Sequence, residues 1–473
     1  MSHIIDIRSA FDESQTEIFQ QSIRRSLLSL GEVNDLESII EWINKKRENT
    51  SVKIEQTTFS NMDQWSQDPI QGSYHHVSHG FFRIDGVNIQ TNYGVLENWQ
   101  QPIISQPEIG ILGIITKQIN STLHFLMQAK IEPGNINYVQ ISPTLQATKS
   151  NYLQKHKGRA PQYLEYFLSP SKKIIVDQLQ SEQGARFLKK RNRNIIIYVD
   201  EPIEILADFQ WMTLAQIQTL MRIDNTINMD TRTVLSGFPL GDVQSLDKLD
   251  GLPTIQQEFL KSELSTESLY PNTQLLAWLT ELKTMYDLFI DRIDLRKVNG
   301  WVFTDERIHH VSERFFDVLP IQVSIENREV RSWNQPMVKP KQVGVCCFFV
   351  KKIDDIYHFL VQAKMECGNF DILEIAPTIQ CLTGSYKSGQ VPFVPELEKA
   401  LEEGTSVLID TFQSEEGGRF YGEQNRHIII DVGSSFSTEL PPRFTWMTKA
   451  QLKHFIQYNN LINIQARSLL SLL

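Results

Sequence analysis

A long internal repeat constrains the fold of this chain more than any other feature of its sequence. Residues 124–152 read HFLMQAKIEPGNINYVQISPTLQATKSNY, and residues 358–386 read HFLVQAKMECGNFDILEIAPTIQCLTGSY. The segments align without a gap at an offset of 234 residues, and 14 of the 29 positions are identical. Unrelated segments of average composition would share about two. The match therefore predicts two copies of one structural unit.

The repeat extends well beyond these segments. QSEQGARF at 180–187 aligns with QSEEGGRF at 413–420, and NMDTRTVLS at 228–236 aligns with NIQARSLLS at 463–471. We therefore divide the chain into an N-terminal helical arm (1–37), a first repeat (38–236), a linker rich in Gly, Pro, Ser and Asp (237–273) and a second repeat (274–473).

The composition is that of a globular protein. A length of 473 residues favours two or more domains. Hydrophobic residues make up 41% and charged residues 22% of the chain, which is typical of an ordered fold. The net charge of −10 argues against a nucleic-acid partner, because such partners require a basic face.

Targeting and metal-binding signals are missing from the sequence. The four cysteines form no CxxC pair, and no histidine cluster has zinc-ligand spacing, so no metal site is predicted. No signal peptide or bilayer-length apolar run is recognisable, so we expect a cytoplasmic protein without a membrane partner. No Rossmann fingerprint or P-loop is present, and no cofactor is predicted.

Hydrophobic periodicity predicts an α+β unit, with a small mixed sheet and flanking helices. Residues 109–117 and 124–131 should form a hairpin around Asn120-Ser121. Further strands are expected at 138–141 and 195–199. Helix-capping boxes are predicted at Ser14-x-x-Glu17, Thr213-x-x-Gln216 and Thr448-x-x-Gln451, and a helix is predicted around 275–286.

Polar residues interrupt the hairpin strand. Gln128, Lys130 and Glu132 alternate, so a strand would point them to one face, and Asn135 follows. They could form a ligand-binding surface, or Lys130 and Glu132 could be a solvent-exposed ion pair.

A second polar cluster lies at Gln180, Ser181, Glu182, Gly184 and Arg186. We expect it to precede or open a short helix, where a glycine followed by an arginine suits an anion. A purely structural turn is the alternative.

Single cations and aromatic residues supply further candidates. Arg193, in a basic run, could contact a diphosphate or belong to a solvated face. Trp99 and Trp333 could stack on a base or pack in the core.

The two copies differ most just after their shared tyrosine. The first copy has Tyr152, His156 and Arg159, whereas Gln390 replaces the histidine in the second. Imidazole suits proton transfer near neutral pH and glutamine does not. If one lobe is catalytic, we therefore expect it to be the first.

Several stretches resemble the NDP-hexose 2,3-dehydratase family of deoxysugar biosynthesis. They are QAKIEPGNINYVQISPTLQATKSNY, PQYLEYF, VDQLQSEQGARFLKKRNRN and IDNTINMDTRTVLS in the first repeat, and EIAPTIQC, SEEGGRF and INIQARSLL in the second. The resemblance implies two tandem Nudix-like lobes, a homodimer, dTDP-sugar sites in the lobes and no organic cofactor. The Glu-rich metal box of Nudix hydrolases is missing, with Glu415-Glu416-Gly417 only a fragment of it.

The resemblance also implies a reaction, the loss of water across C2 and C3 of dTDP-4-keto-6-deoxy-D-glucose. The product would be a dTDP-3,4-diketo-2,6-dideoxyhexose, which a 3-ketoreductase or an aminotransferase would take over. The alternative functions are a Nudix-like nucleotide-sugar diphosphatase and a non-catalytic nucleotide-sugar-binding protein.

Such a dehydratase needs a base, an acid, an oxyanion donor and cations for the diphosphate. The candidate catalytic residues are His156, Tyr152, Glu182 and Lys130, and the sequence does not decide which of them is the base and which the acid. The candidate substrate-binding residues are Trp99, Gln128, Glu132, Asn135, Thr144, Gln146, Arg159, Gln180, Ser181, Arg186, Arg193, Trp333, Lys364, Thr378, Gln380, Tyr386, Ser414 and Arg419.

Overall fold

A computed structural model describes residues 13–152, 160–168, 173–241, 251–325, 332–383 and 391–473. Its helices, in chain order, are α1 (Glu13–Leu28), α2 (Leu36–Glu48), α3 (Lys149–Tyr152), α4 (Leu164–Leu168), α5 (Leu214–Met221), α6 (Met229–Ser236), α7 (Thr254–Leu264), α8 (Asn272–Met285), α9 (Val394–Glu403), α10 (Lys449–Ile456) and α11 (Ile464–Leu470). Within these ranges no helix is both long enough and apolar enough to cross a membrane.

The strands in the described ranges form two seven-stranded and two five-stranded sheets. In chain order they are β1 (Val52–Gln56), β2 (Trp65–Gln67), β3 (Tyr74–His76), β4 (Arg83–Thr91), β5 (Asn98–Ser105), β6 (Gly110–Ile119), β7 (Thr122–Ile131), β8 (Val139–Ser142), β9 (Leu145–Ala147), β10 (Lys173–Ser181), β11 (Arg191–Tyr198), β12 (Phe209–Met212), β13 (Leu288–Ile293), β14 (Trp301–Phe303), β15 (Ile308–His310), β16 (Phe316–Ile325), β17 (Ser332–Pro340), β18 (Gly344–Ile353), β19 (Ile356–Lys364), β20 (Glu374–Pro377), β21 (Ile379–Leu382), β22 (Val407–Ser414), β23 (Gln424–Asp431) and β24 (Phe444–Thr448).

Each repeat builds one seven-stranded mixed sheet, and both sheets have the same strand order. The first runs β10-β11-β6-β7-β12, with β8 beside β7 and β9 beside β6. The second runs β22-β23-β18-β19-β24, with β20 beside β19 and β21 beside β18. The β6–β11 and β18–β23 pairs are parallel, and the other pairs are antiparallel. The α+β class with mixed sheets is confirmed, and the shared order is what a duplication predicts.

Local signals in the sequence place several elements correctly. The predicted hairpin is β6–β7, and Asn120 and Ser121 both adopt positive φ, at 49° and 66°. Two left-handed residues suit the right-handed twist of the strands that they connect. The capping boxes begun by Thr213 and Thr448 are both present, at the start of α5 and of α10.

The two five-stranded sheets exchange strands between the repeats. Strand β1 of the first repeat pairs with β16 of the second, with Val52 opposite Ile325. Strand β13 of the second repeat pairs with β4 of the first, with Leu288 opposite Thr91. Each small sheet therefore contains a strand from the other half of the chain.

The segment 237–273 contains a helix with a counterpart in the N-terminal arm. Helix α1 contacts β7 and α5, and helix α7 contacts β19 and α10 in the same way. Ser26 in α1 accepts a hydrogen bond from the Leu214 amide at 2.8 Å, and Ser262 in α7 accepts one from the Lys449 amide at 3.0 Å. The repeated unit of the structure thus begins with a helix upstream of the repeat visible in the sequence.

Two fully buried arginines join the repeats through hydrogen bonds to backbone carbonyl groups. Arg232 of α6 donates to the Ser414 carbonyl of the second repeat at 2.6 Å. Arg467 of α11 donates to the Ser181 carbonyl of the first repeat at 2.5 Å. Burial lowers the pKa of both guanidinium groups to about 10. Each arginine thereby fixes the start of the SExGxRF segment of the opposite repeat.

Candidate functional site

A cavity of about 780 Å³ lies against the first seven-stranded sheet, and both repeats line it. Pockets for small molecules commonly have 300–1,000 Å³. The first repeat contributes, among others, Lys130, Glu132, Gln146, Glu182, Lys190, Asn192 and Asp230. The second repeat contributes, among others, Trp333, Gln335, Glu416 and Arg419. We call this space the first-lobe cavity.

Strand β7 and the residues that follow it form one wall of the cavity. Glu132 is buried, and its two oxygens accept hydrogen bonds from Gln146 at 2.7 Å and Asn135 at 3.3 Å. Asn228, which caps α6, donates to the Gln146 side-chain oxygen at 3.1 Å. Lys130 donates to the Gln146 carbonyl at 3.1 Å. The sequence places Lys130 and Glu132 side by side, and in the structure both line the cavity.

The SExGxRF segment of the second repeat forms the opposite wall. The Gly134 amide of the first repeat donates to the Gly417 carbonyl at 2.7 Å, and the Gly422 amide donates to the Gly134 carbonyl at 2.8 Å. These backbone contacts bring Glu416 and Arg419 into the first-lobe cavity. The mirror contact, at 2.7 Å, joins the Gly368 amide to the Gly184 carbonyl.

The SExGxRF segments do not open helices, contrary to the prediction. Residues 184–186 form a turn, closed by hydrogen bonds from the Arg186 and Phe187 amides to the Gln183 carbonyl. Phe187 then forms a β-bridge to Ile104, which ends the helical geometry. The glycine therefore does not mark a helix N-terminus, and the anion-site argument based on one does not hold.

Three carboxyl groups that line the cavity each have one buried oxygen without a hydrogen-bond partner among the described residues. These atoms are Oε2 of Glu182, Oδ1 of Asp230 and Oε2 of Glu416. The second oxygen of Glu182 accepts from the Asn192 amide group at 2.6 Å. Unpaired polar atoms of this kind are rare in protein interiors and indicate a place for a ligand or a proton.

Burial governs the protonation of these groups. It raises the pKa of Glu182, and it raises the pKa of Asp230 well above its usual range. Burial, with the charges of Glu132 and Glu182, raises the pKa of Glu416 to about 7. Desolvation lowers the pKa of Lys190, whose ammonium donates to the Glu108 carbonyl at 2.6 Å. The cavity therefore holds carboxyl groups that can both donate and accept protons near neutral pH.

Cationic and aromatic groups complete the cavity. The Arg419 guanidinium lies over the Phe82 ring, 4.2 Å from its centroid, and donates to Gln106 at 3.3 Å. Trp333 lines the cavity, and its indole nitrogen donates to Gln335 at 3.0 Å. Its counterpart Trp99 makes the corresponding bond, to Gln101, in the other five-stranded sheet. An arginine and an aromatic face suit a phosphorylated nucleotide.

Other residues singled out in the sequence form structural hydrogen bonds with backbone groups or with other side chains. Thr144 and Thr378 each accept a hydrogen bond from a backbone amide of the neighbouring strand, at 3.0 and 2.9 Å. Gln180 donates to the Ile456 carbonyl at 2.6 Å. Ser181 donates to Glu374 at 2.8 Å, and Ser414 accepts from Gln140 at 2.7 Å. These residues are not among those that line the first-lobe cavity.

Three further candidates lie apart from the cavity lining. Arg193 forms a two-bond ion pair with Asp177, at 2.7 and 2.6 Å, on the exposed side of the sheet. Tyr152 packs against an apolar cluster that includes residues of β6. Its neighbour Asn151 lines the cavity, and Tyr152 does not. Gln128 is half-buried on β7, opposite Ser142. His156, Arg159 and Tyr386 lie outside the described residues.

The second lobe repeats the hydrogen-bond network of the first. Gln380 donates to Glu366 at 2.8 Å, and Lys364 donates to the Gln380 carbonyl at 3.4 Å. Arg186 lies over the Phe316 ring, 4.3 Å from its centroid, which mirrors Arg419 on Phe82. Arg186 of the first repeat therefore lies in the second lobe, and Arg419 of the second repeat lies in the first lobe. Sequence order alone would have assigned each arginine to the lobe of its own repeat.

Several cavity residues were not among the candidates from the sequence, and they include Lys190, Asp230 and Glu416. Their aligned positions in the other copy hold Glu423, Gln465 and Gln183. A change of charge between aligned positions of the two repeats was the signal that could have identified them.

Comparison with known proteins gives a consistent result. A family model described as NDP-hexose 2,3-dehydratase matches residues 36–238 and 272–473. The two matched regions correspond to the two halves of the fold described above.

Curated relatives match over most of the chain. A dTDP-4-dehydro-6-deoxy-α-D-glucopyranose 2,3-dehydratase of Saccharopolyspora spinosa is 41% identical over 439 residues, covering 91% of this chain and 89% of that protein. Proteins of the same name from Amycolatopsis orientalis and Streptomyces violaceoruber are each 38% identical, over 445 and 444 residues. These alignments cover 92% and 93% of this chain, and 89% and 97% of the respective relatives.

Proposed function

Because the chain belongs to the NDP-hexose 2,3-dehydratase family, we propose that it eliminates water across C2 and C3 of dTDP-4-keto-6-deoxy-D-glucose. The product is a dTDP-3,4-diketo-2,6-dideoxyhexose. The observation that carries the proposal is the family match over both repeats, together with a cavity in which buried carboxyl groups face cations from both halves of the chain.

The chemistry of the cavity suits this reaction. The C4 carbonyl of the substrate acidifies the proton on C3, so a carboxylate can remove it. The C4 oxygen then carries negative charge, which a nearby ammonium such as that of Lys130 stabilises. The hydroxyl on C2 leaves as water after it receives a proton from an acid, and the resulting C2–C3 enol gives the 3-ketone when its hydroxyl proton is lost and C2 gains a proton. Glu182 supports the proposal as one of the proton-transferring groups, because its Oε2 has no partner among the described atoms.

The nucleotide end of the substrate needs cations and flat surfaces. Arg419 lines the cavity and offers a forked donor for the diphosphate, while the ring of Trp333 offers a stacking face. His156, Tyr152 and Arg159 remain candidates from the sequence, and of these Tyr152 adjoins the cavity residue Asn151 in α3. The first lobe carries out the reaction in this proposal, and the second binds nucleotide sugar or serves as a scaffold.

Further features belong to the same proposal. The two repeats are Nudix-like lobes, and the enzyme is a cytoplasmic homodimer without an organic cofactor. Its diketo product carries a carbonyl group at C3, which a 3-ketoreductase or an aminotransferase then converts. The observation in favour of Nudix-like lobes is the mixed sheet with helices on its faces, repeated with one strand order.

The proposal is tested by incubating the purified protein with dTDP-4-keto-6-deoxyglucose and following the sugar by NMR. We expect loss of the C2 hydroxyl and no release of dTMP, with turnover unchanged by EDTA and independent of added NAD. Release of dTMP that requires a divalent metal would instead identify a diphosphatase. Binding without any change in the sugar would identify a non-catalytic binding protein.

A further inference from the structure

We propose that Glu416, supplied by the second repeat, forms a proton-transferring pair with Glu182 of the first repeat in the first-lobe cavity. The inference rests on the proposed dehydratase function and deepens it, because it names a catalytic residue that the second half of the chain contributes. The active site is then assembled across the two repeats and is not contained in the first.

The position of Glu416 is fixed by the contact between the repeats. The Gly134–Gly417 and Gly134–Gly422 backbone hydrogen bonds hold the turn that carries it against the end of β7. Its half-buried side chain lines the cavity, and its Oε2 is buried and lacks a hydrogen-bond partner in the part of the chain that the structure describes. An unpaired buried carboxyl oxygen facing a cavity is positioned to meet a ligand.

The other lobe shows what this position looks like without an acid. Gln183 takes the place of Glu416 there, and Glu415 takes the place of Glu182. The Gln183 amide donates to the Glu415 Oε2, so that oxygen is occupied. In the first-lobe cavity the corresponding oxygens of Glu182 and Glu416 are both without such a bond. The replacement of Gln183 by a second carboxyl group thus turns a satisfied contact into an acid–base pair.

Two neighbouring buried carboxyl groups resist double ionisation, so together they retain one proton. Burial and the charge of Glu182 raise the pKa of Glu416 to about 7, in line with such a pair. The ionised member accepts the C3 proton, and the resulting C4 enolate expels the C2 oxygen as the C2–C3 double bond forms. The protonated member gives its proton to that oxygen, which leaves as water. The pair begins and ends the turnover with one proton, so no outside acid is required.

The test compares Glu416→Gln with wild type in the NMR assay for dehydration. We expect kcat to fall by about 10²–10⁴-fold, which is the usual cost of losing an acid–base group. Glu416→Asp should recover part of the loss. Glu423→Gln is the matched control, because it makes the same change at a buried, unpaired glutamate of the second repeat. It should stay within a few-fold of wild type.

The pH profile separates chemistry from folding. Wild-type kcat should fall as pH rises through about 7, since the pair then loses the proton that it must give to the C2 oxygen, and this limb should be missing from the residual rate of Glu416→Gln. A Glu416→Gln variant within threefold of wild type, or one that keeps the limb, would overturn the proposal. An inactive wild type would instead refute the dehydratase function itself.

Discussion

The protonation of individual carboxyl groups in this protein depends more on their burial than on the residues adjacent in sequence. Burial is the largest influence on the pKa of the cavity glutamates Glu182 and Glu416 and of Glu374 at the contact between the repeats. Burial disfavours the ionised form of a carboxyl group, because that form loses its hydration. The protein should therefore respond to pH in both activity and stability.

The response of stability to pH can be measured at Glu374. Burial raises its pKa to about 8, whereas the unfolded value is 4.5. Between these values the folded state binds more protons than the unfolded state, so the free energy of unfolding falls as pH rises. From pH 6.5 to 8, the melting temperature of wild type should fall more steeply than that of Glu374→Gln. Parallel curves, measured by circular dichroism, would show that Glu374 does not titrate in this range.

Sequence reasoning at the residue scale succeeded where the geometry is local. Alternation along a strand placed Lys130 and Glu132 on one surface, because side chains two apart share a face. It could not place Glu416 or Arg419, because their position depends on which lobe a turn contacts. Thr144 and Gln180 look like ligand-binding polar residues in sequence but satisfy backbone groups.

Among the elements, one contact determines the shape of the cavity. It joins the loop at residues 132–135, which follows β7, to the turn of the SExGxRF segment at residues 414–420 of the second repeat. A Cβ atom on Gly134 would lie 1.6 Å from the Phe420 carbonyl oxygen, so no side chain fits without moving one repeat away from the other. Gly368 meets the Phe187 carbonyl oxygen at 1.7 Å in the mirror contact. Both glycines are retained because the two backbones approach closely.

Replacing Gly134 by alanine should accordingly displace the turn that carries Glu416 and Arg419. We expect a large loss of activity and a destabilisation of about 1–3 kcal/mol, as for other overpacked sites. Gly94→Ala is the control, because a Cβ there meets nothing within 4 Å and only the strain of a φ of 82° remains. Equal losses in both variants, measured by turnover and by chemical denaturation, would contradict this account of the contact.

The elements themselves were predicted to different degrees. The Asn120-Ser121 hairpin and the boxes at Thr213 and Thr448 were correct, because turn and cap preferences act over a few residues. The partner of β1 was not predictable, since its alternating pattern indicates a strand but not the strand with which it pairs. Helix α7 was not predicted, because the composition of the segment that contains it indicated a linker.

At the scale of the whole molecule, the two repeats are interlocked. Each gives a strand to a five-stranded sheet of the other, and each buries an arginine against the other. The SExGxRF turn of each repeat also faces the opposite lobe. The duplication therefore produced one composite molecule, in which residues distant in sequence share a cavity.

The central claim is that the first-lobe cavity, built from both repeats, carries out dehydration. It is tested most directly by comparing kcat for Lys130→Met and Arg419→Met, which alter this cavity, with kcat for the second-lobe counterparts Lys364→Met and Arg186→Met. We predict that each variant of the first pair loses about 10²-fold or more, as expected for a group that stabilises developing charge, while the second pair stays within a few-fold of wild type. Loss of turnover in Lys364→Met and Arg186→Met, with Lys130→Met and Arg419→Met unaffected, would contradict the account.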